Sequence, residues 1–133
     1  MRLRALSLAA ALGAVTALGA CTPEPTVSVS PATGLSDGQT VTVTGRGYSA
    51  TASVGILQCP TDATAPDQCD GRTADSFSTD AAGRFTRHLD VRRAITDAHD
   101  VVTDCGVPDA CAVISVYVHG FQGRAAAPLR FSP

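Results

Sequence analysis

The sequence predicts an all-β protein, an antiparallel sandwich of about seven short strands. Three observations lead there. The runs Thr26–Ser30 and Thr40–Thr44 alternate valine with hydroxyl residues, which puts Val27 with Val29, and Val41 with Val43, on one face of an extended chain. Gly, Pro and Asp punctuate the chain at short intervals, as turns between short strands require. No amphipathic helical pattern competes with these runs in the mature part of the chain.

At 133 residues the chain holds one domain. Trp is absent, and there are only two Tyr and four Phe, so the core must be assembled from Val, Leu, Ile and Ala. Residues 1–20 read as an export signal rather than as fold: Arg2 and Arg4 precede an apolar run from Ala5 to Ala20 that is short for a membrane span. Leu18-Gly19-Ala20-Cys21 resembles the lipobox of bacterial lipoproteins, in which the cysteine is acylated. Ordinary cleavage near Ala20, leaving Cys21 as a free thiol, is the alternative. Residues 21–25 are then a lipidated cysteine and tether, and 26–133 the folded domain. The expected location is the outer face of the bacterial cytoplasmic membrane, held by lipid alone, with secretion as the alternative.

Taken in order, the first strand ends at Pro31, which cannot donate to a ladder, and Asp37-Gly38 makes the turn into the second. Gly45-Arg46-Gly47 follows that strand with no helix after it, so it reads as a bulge or turn and not a phosphate loop. Thr51–Gln58 is a strand, residues 60–68 a polar hairpin end, and Ser76–Thr79 a short strand around Phe77. Arg84–Val91 is a strand with Phe85, Leu89 and Val91 on one face, interrupted by Arg87, which places it near an edge. Arg92-Arg93 is a solvated strand end. Ala94–Asp104 reads as loop or irregular strand. Ala112–Val118 is the most apolar strand, His119–Gly123 a turn, and Ala125–Phe131 the last strand.

Chemistry is sparse. Gly-x-Ser-x-Gly, His-Glu-x-x-His and paired-carboxylate signatures are all missing. His88, His99 and His119 are scattered, so no catalytic residue, no metal ligand and no covalent cofactor is assigned. The formal charge of −2 counts Arg2 and Arg4, and without the signal it is −4. An acidic domain repels phosphate backbones, so direct nucleic-acid binding is not expected. Of the five cysteines, Cys21 stands apart; Cys59, Cys69, Cys105 and Cys111 allow three pairings that spacing alone does not separate.

PATGLSDGQTVTVTGRGY, residues 31–48, and FSTDAAGRFTRHLDVRR, residues 77–93, resemble the neocarzinostatin family, small apoproteins that carry enediyne chromophores. The resemblance covers nearly all of 26–131. It implies a seven-stranded immunoglobulin-like Greek-key sandwich with two local disulfides, Cys59–Cys69 and Cys105–Cys111. Each would contribute roughly 2–3 kcal/mol. It further implies a monomeric, non-catalytic protein that binds or sequesters a small apolar or aromatic ligand non-covalently. In the family the segment matching 94–104 is longer and carries aromatics that wall the ligand cleft. Counting back from Phe131 without a gap puts Val113, Ser115 and Tyr117 on the cleft side and Ile114 and Val116 in the core. Leu57, Ser115 and Tyr117 then replace smaller residues on the cleft floor. The rival reading is an immunoglobulin-like interaction module of the cell envelope with no small ligand.

Overall fold

The computed structural model describes residues 24–133; residues 1–20, expected to be an export signal, and Cys21, expected to be acylated, lie outside the described residues. The strands in chain order are β1 (Thr26–Ser30), β2 (Thr40–Arg46), β3 (Ser53–Pro60), β4 (Asp75–Ser78), β5 (Phe85–Asp90), β6 (Ala94–Thr96), β7 (Val102–Asp104), β8 (Cys111–Tyr117) and β9 (Ala125–Pro128). Two antiparallel sheets, ordered β1-β2-β5 and β4-β3-β8-β9, face one another as an immunoglobulin-like sandwich. β6 and β7 form a separate two-stranded ribbon. The ribbon occupies the segment expected to be loop or irregular strand. Its turn is closed by a side chain and not by apolar pattern: Asp97 Oδ1 accepts the N–H groups of His99 and Val101 at 2.8 and 2.9 Å.

Alternation in β2 works as the sequence implies. Val41 and Val43 are buried between the sheets, while Thr40, Thr42 and Thr44 point away. Opposite them stand Val54 and Ile56 of β3 and Val113 of β8, with Leu35, Leu89, Val91 and Leu129 completing the core. Leu35 lies outside the regular strands but bridges to Phe131, and the two termini of the domain are thereby locked together. Gly83 has φ +73°, and a Cβ there would overlap the Tyr48 carbonyl. Glycine therefore lets the β4–β5 turn close against the end of β2.

Both bridges named above are formed: Cys59–Cys69 and Cys105–Cys111, with S–S separations of 2.02 and 2.06 Å. Between them the fully buried Gln58 carries a polar load. Its Oε1 accepts the Arg92 N–H at 2.8 Å and its Nε2 donates to the Arg92 carbonyl at 2.6 Å. The amide thus supplies β-like pairing to a residue that has left the sheet, and joins the two sheets at one end. At the neighbouring pair of edges, Arg87 of β5 donates to Asp75 of β4 at 2.8 Å, and its guanidinium sits 4.8 Å from the Phe77 ring centroid. The interruption of the apolar face by Arg87 does mark an edge strand.

The ribbon is fastened to the Cys59–Cys69 loop through Asp67. Its carbonyl accepts the Ala98 N–H at 3.0 Å, and its carboxylate meets His99 Nε2 at 2.9 Å. That hydrogen bond, with the charge of Asp67 behind it, raises the His99 pKa above the ordinary histidine value, and Asp97 adds to the effect. A raised folded-state pKa means that the contact contributes fully below about pH 6.5 and is lost as pH rises through the raised value. A proton NMR titration should find His99 above its ordinary pKa, and Asp67→Asn should return it most of the way; an unchanged titration would mean that the pair is not formed in solution. Gln58→Leu keeps the volume but strands both backbone groups of Arg92. It should cost about 1–3 kcal/mol for each group left unpaired, read as a lower denaturation midpoint at unchanged slope.

Candidate functional site

β3 and β8 are buried on both faces, and the face away from the sandwich core carries the site. Gly55, Leu57 and Cys59 of β3 project there with Ala112, Ile114 and Val116 of β8. Leu57, Ile114 and Val116 pack with Ala63, Cys69 and Phe121 into a second apolar cluster separate from the core. Beside this cluster an open apolar cleft of about 490 Å³ has Gly55, Leu57 and Val116 as its floor. The volume falls inside the usual range for small-molecule sites, about 300–1,000 Å³.

Three segments build its walls. Thr64, Ala65 and Pro66 come from the loop closed by the Cys59–Cys69 bridge. That loop, expected to be a solvated hairpin end, is instead folded back over the sheet with Ala63 buried, and the Gln68 side chain holds the Thr64 N–H at 2.7 Å. Ala74, Asp75 and Ser76 form the second wall. The third is Gly120-Phe121 in the β8–β9 connection, where Phe121 has φ +54° between the left-handed Gly120 and Gly123. A phenylalanine held in that region costs on the order of 1–3 kcal/mol, so its surroundings must dictate the conformation.

Of the residues expected on the cleft side, Leu57 is there and two others are not. Val113 and Ser115 face the sandwich core, and Ile114 and Val116, expected in the core, face the cleft cluster. The reversal has a physical reason. Both faces of β8 are apolar and both are buried, so the larger aliphatic stripe does not identify the core side. The hydroxyl of Ser115 is tolerated in the core because Tyr48 Oη lies 2.6 Å away, and Tyr48 in turn donates to the Gly123 carbonyl at 2.9 Å. Burial holds the Tyr48 phenol above its ordinary pKa, opposed in part by the Ser115 contact.

Tyr117 belongs with this core network. Its ring meets Tyr48 edge-on at 5.0 Å, and its hydroxyl accepts the Ser49 N–H at 2.8 Å. The same ring rests on Gly123, where a Cβ would come within 2.7 Å of it. Tyr117 touches the margin of the cleft but does not fill it. The residue that sequence reasoning missed is Phe121. Its signal was an aromatic residue set in a glycine-rich turn immediately after the most apolar strand.

Other depressions offer different chemistry. One, of about 650 Å³, lies over β1, β2 and β5 and is lined by hydroxyl residues with Arg46, Arg84 and Asp80. Among the described residues no group of three or more His, Cys, Asp or Glu is placed to hold a metal ion. The cleft beside β3 and β8 is thus the one suited to an apolar ligand. It has an aromatic wall and a few polar groups, from Thr64, Asp75 and Ser76, to orient what binds.

Comparison with known proteins agrees with this architecture. Residues 27–131 match the family model described as the Neocarzinostatin family. The antitumor antibiotic C-1027 apoprotein of Streptomyces globisporus is 42% identical over 88 residues, a match that spans 66% of this chain and 60% of that protein. Apokedarcidin, from an actinomycete, is 37% identical over 107 residues, 75% of this chain and 93% of its own length. Among solved structures macromomycin superposes with a TM-score of 0.68 at 31% identity, covering 81% of this chain and 99% of macromomycin. With the sandwich, both local disulfides and the matched residues in agreement, the chain belongs to the neocarzinostatin family.

Proposed function

We propose that the protein is a non-catalytic carrier that sequesters a small apolar or aromatic molecule, without covalent attachment, in the cleft over β3 and β8. The observation that carries this reading is the cleft itself. A cleft of about 490 Å³ with an apolar floor lies outside the main core and is walled by a disulfide-closed loop and an aromatic turn. The family resemblance supplies the ligand class, a chromophore of the enediyne type or another flat aromatic. Leu57 and Val116 fill the floor beside Gly55, which favours a thin ligand lying against Phe121 over one seated deep between the strands. Acylation of Cys21 would hold the carrier at the outer face of the cytoplasmic membrane. Retention there suits self-protection or capture at the envelope better than delivery of a released toxin.

An environment-sensitive naphthalene probe should gain fluorescence with the purified protein at micromolar concentrations. Ser76→Trp, a change at an exposed lining position, should abolish the gain without altering the denaturation midpoint. No enhancement with the parent chain, and no small molecule retained from the host cell's apolar extract in native mass spectrometry, would favour the interaction-module reading instead. The anchor is checked separately. Cys21→Ser should shift the protein from the membrane fraction to the medium or leave it unprocessed, whereas unchanged fractionation would mean that Cys21 bears no lipid.

A further inference from the structure

Phe121 borders more than the cleft over β3 and β8. On its other side a second depression, of about 460 Å³, opens among Thr61, Asp62, Ala63, Thr64 and Arg124. Phe121 and Thr64 line both hollows, so these two side chains stand between them. The apolar layer beneath is continuous. Leu57 in the floor of the cleft and Ala63 in the lining of the second depression belong to one buried cluster, and Phe121 rests on it. Above that layer the chemistry changes. The cleft is mostly apolar, whereas the second depression carries an acid, a guanidinium and two hydroxyls. There Arg124 Nη2 donates to the Thr61 carbonyl at 2.6 Å, which ties the β8–β9 connection to the disulfide-closed loop.

The backbone that carries this divider is pinned on both sides. The Tyr117 N–H donates to the Gln122 carbonyl at 2.8 Å and the Tyr48 hydroxyl to the Gly123 carbonyl at 2.9 Å, so the two residues after Phe121 are held to the core network. Before it, the Val118 N–H donates to the Ser53 carbonyl at 3.1 Å. Between these ties Phe121 keeps φ +54°, a conformation its surroundings must impose. On the carrier reading given above, on which this inference rests, we propose that Phe121 sets the length of the ligand. Its ring confines a compact aromatic molecule to the apolar cleft and denies an elongated one the polar depression beyond. Selectivity then comes from exclusion as much as from contact. Without the ring the two hollows would join into one trough, apolar at one end and polar at the other. Such a trough suits an elongated molecule with an aromatic head and a hydroxylated tail.

The test compares two fluorescent probes on the purified protein. The short probe is a naphthalene; the long probe is the same naphthalene joined rigidly, end to end, to a hydroxylated phenyl ring. The parent protein should bind the long probe no more tightly than the short one. Phe121→Gly relieves the left-handed backbone and removes the divider. It should weaken the short probe, which loses an aromatic wall, and raise the long-to-short affinity ratio about tenfold through the newly covered ring. Phe121→Asn should give the same shift, since Asn also tolerates the left-handed region and is less flexible than Gly. Denaturation midpoints confirm that each variant is folded. A folded variant that weakens both probes equally shows Phe121 to be a wall and no more, and overturns the proposal. So does a parent protein that binds the long probe about tenfold more tightly than the short one, a comparison that needs no variant. A parent protein that binds neither probe overturns the carrier reading, and the length limit with it.

Discussion

The pairing of β3 with β8 is the constraint on which the rest of the molecule depends. It runs without interruption from Val54 opposite Tyr117 to Pro60 opposite Cys111, and both of its faces are covered. One face closes the sandwich core with Val54, Ile56 and Val113; the other presents Leu57 and Val116 to the cleft, with Ile114 buried beside them. Because side chains alternate strictly along a strand, core and cleft are coupled through this one register. A slip by a single residue would exchange the two sets. It would also pull Gln58 away from Arg92 and move Cys59 out of line with Cys69. The bridge and the buried amide therefore act as register pins as much as sources of stability.

That coupling explains how a binding site can vary while the fold persists. Substitutions on the cleft face of β3 and β8 alter floor height without touching the packing between sheets, since the two clusters are distinct. The walls are similarly insulated. The Cys59–Cys69 loop is fixed by its own bridge, by Gln68 and by the contact with Asp67 from the ribbon, and the β8–β9 turn by its left-handed backbone.

Much of the fold was legible in the sequence because it rests on local rules. Period-2 valines, Pro31, the Asp37-Gly38 turn and the edge position of Arg87 each follow from a few neighbouring residues, and the resemblance supplied the disulfide pairing. The site was only partly legible. Leu57 could be placed beside the cleft, but the facing of Val113, Ser115 and Tyr117 could not be read correctly. Alternation says which residues share a face and not which face is the core when both are apolar. The deciding interaction, the hydroxyl contact between Ser115 and Tyr48, joins positions far apart in the chain and has no local signature. Phe121 escaped for a related reason: a turn of His, Gly and Gln looks solvated until the sheet beneath it is known to carry a second apolar cluster.

Arg87 has a consequence beyond the bridge that it makes to Asp75. It stands on an edge strand, on the face that otherwise turns inward, so its charge is sheltered from one side by Phe77 and hydrated from the other. A strand from a second molecule adding along β5 would have to strip that water while finding the guanidinium already committed within its own domain. Edges protected in this way resist lateral growth of the sheet. Wherever copies of the chain meet at high local density, unpaired edges would otherwise be dangerous.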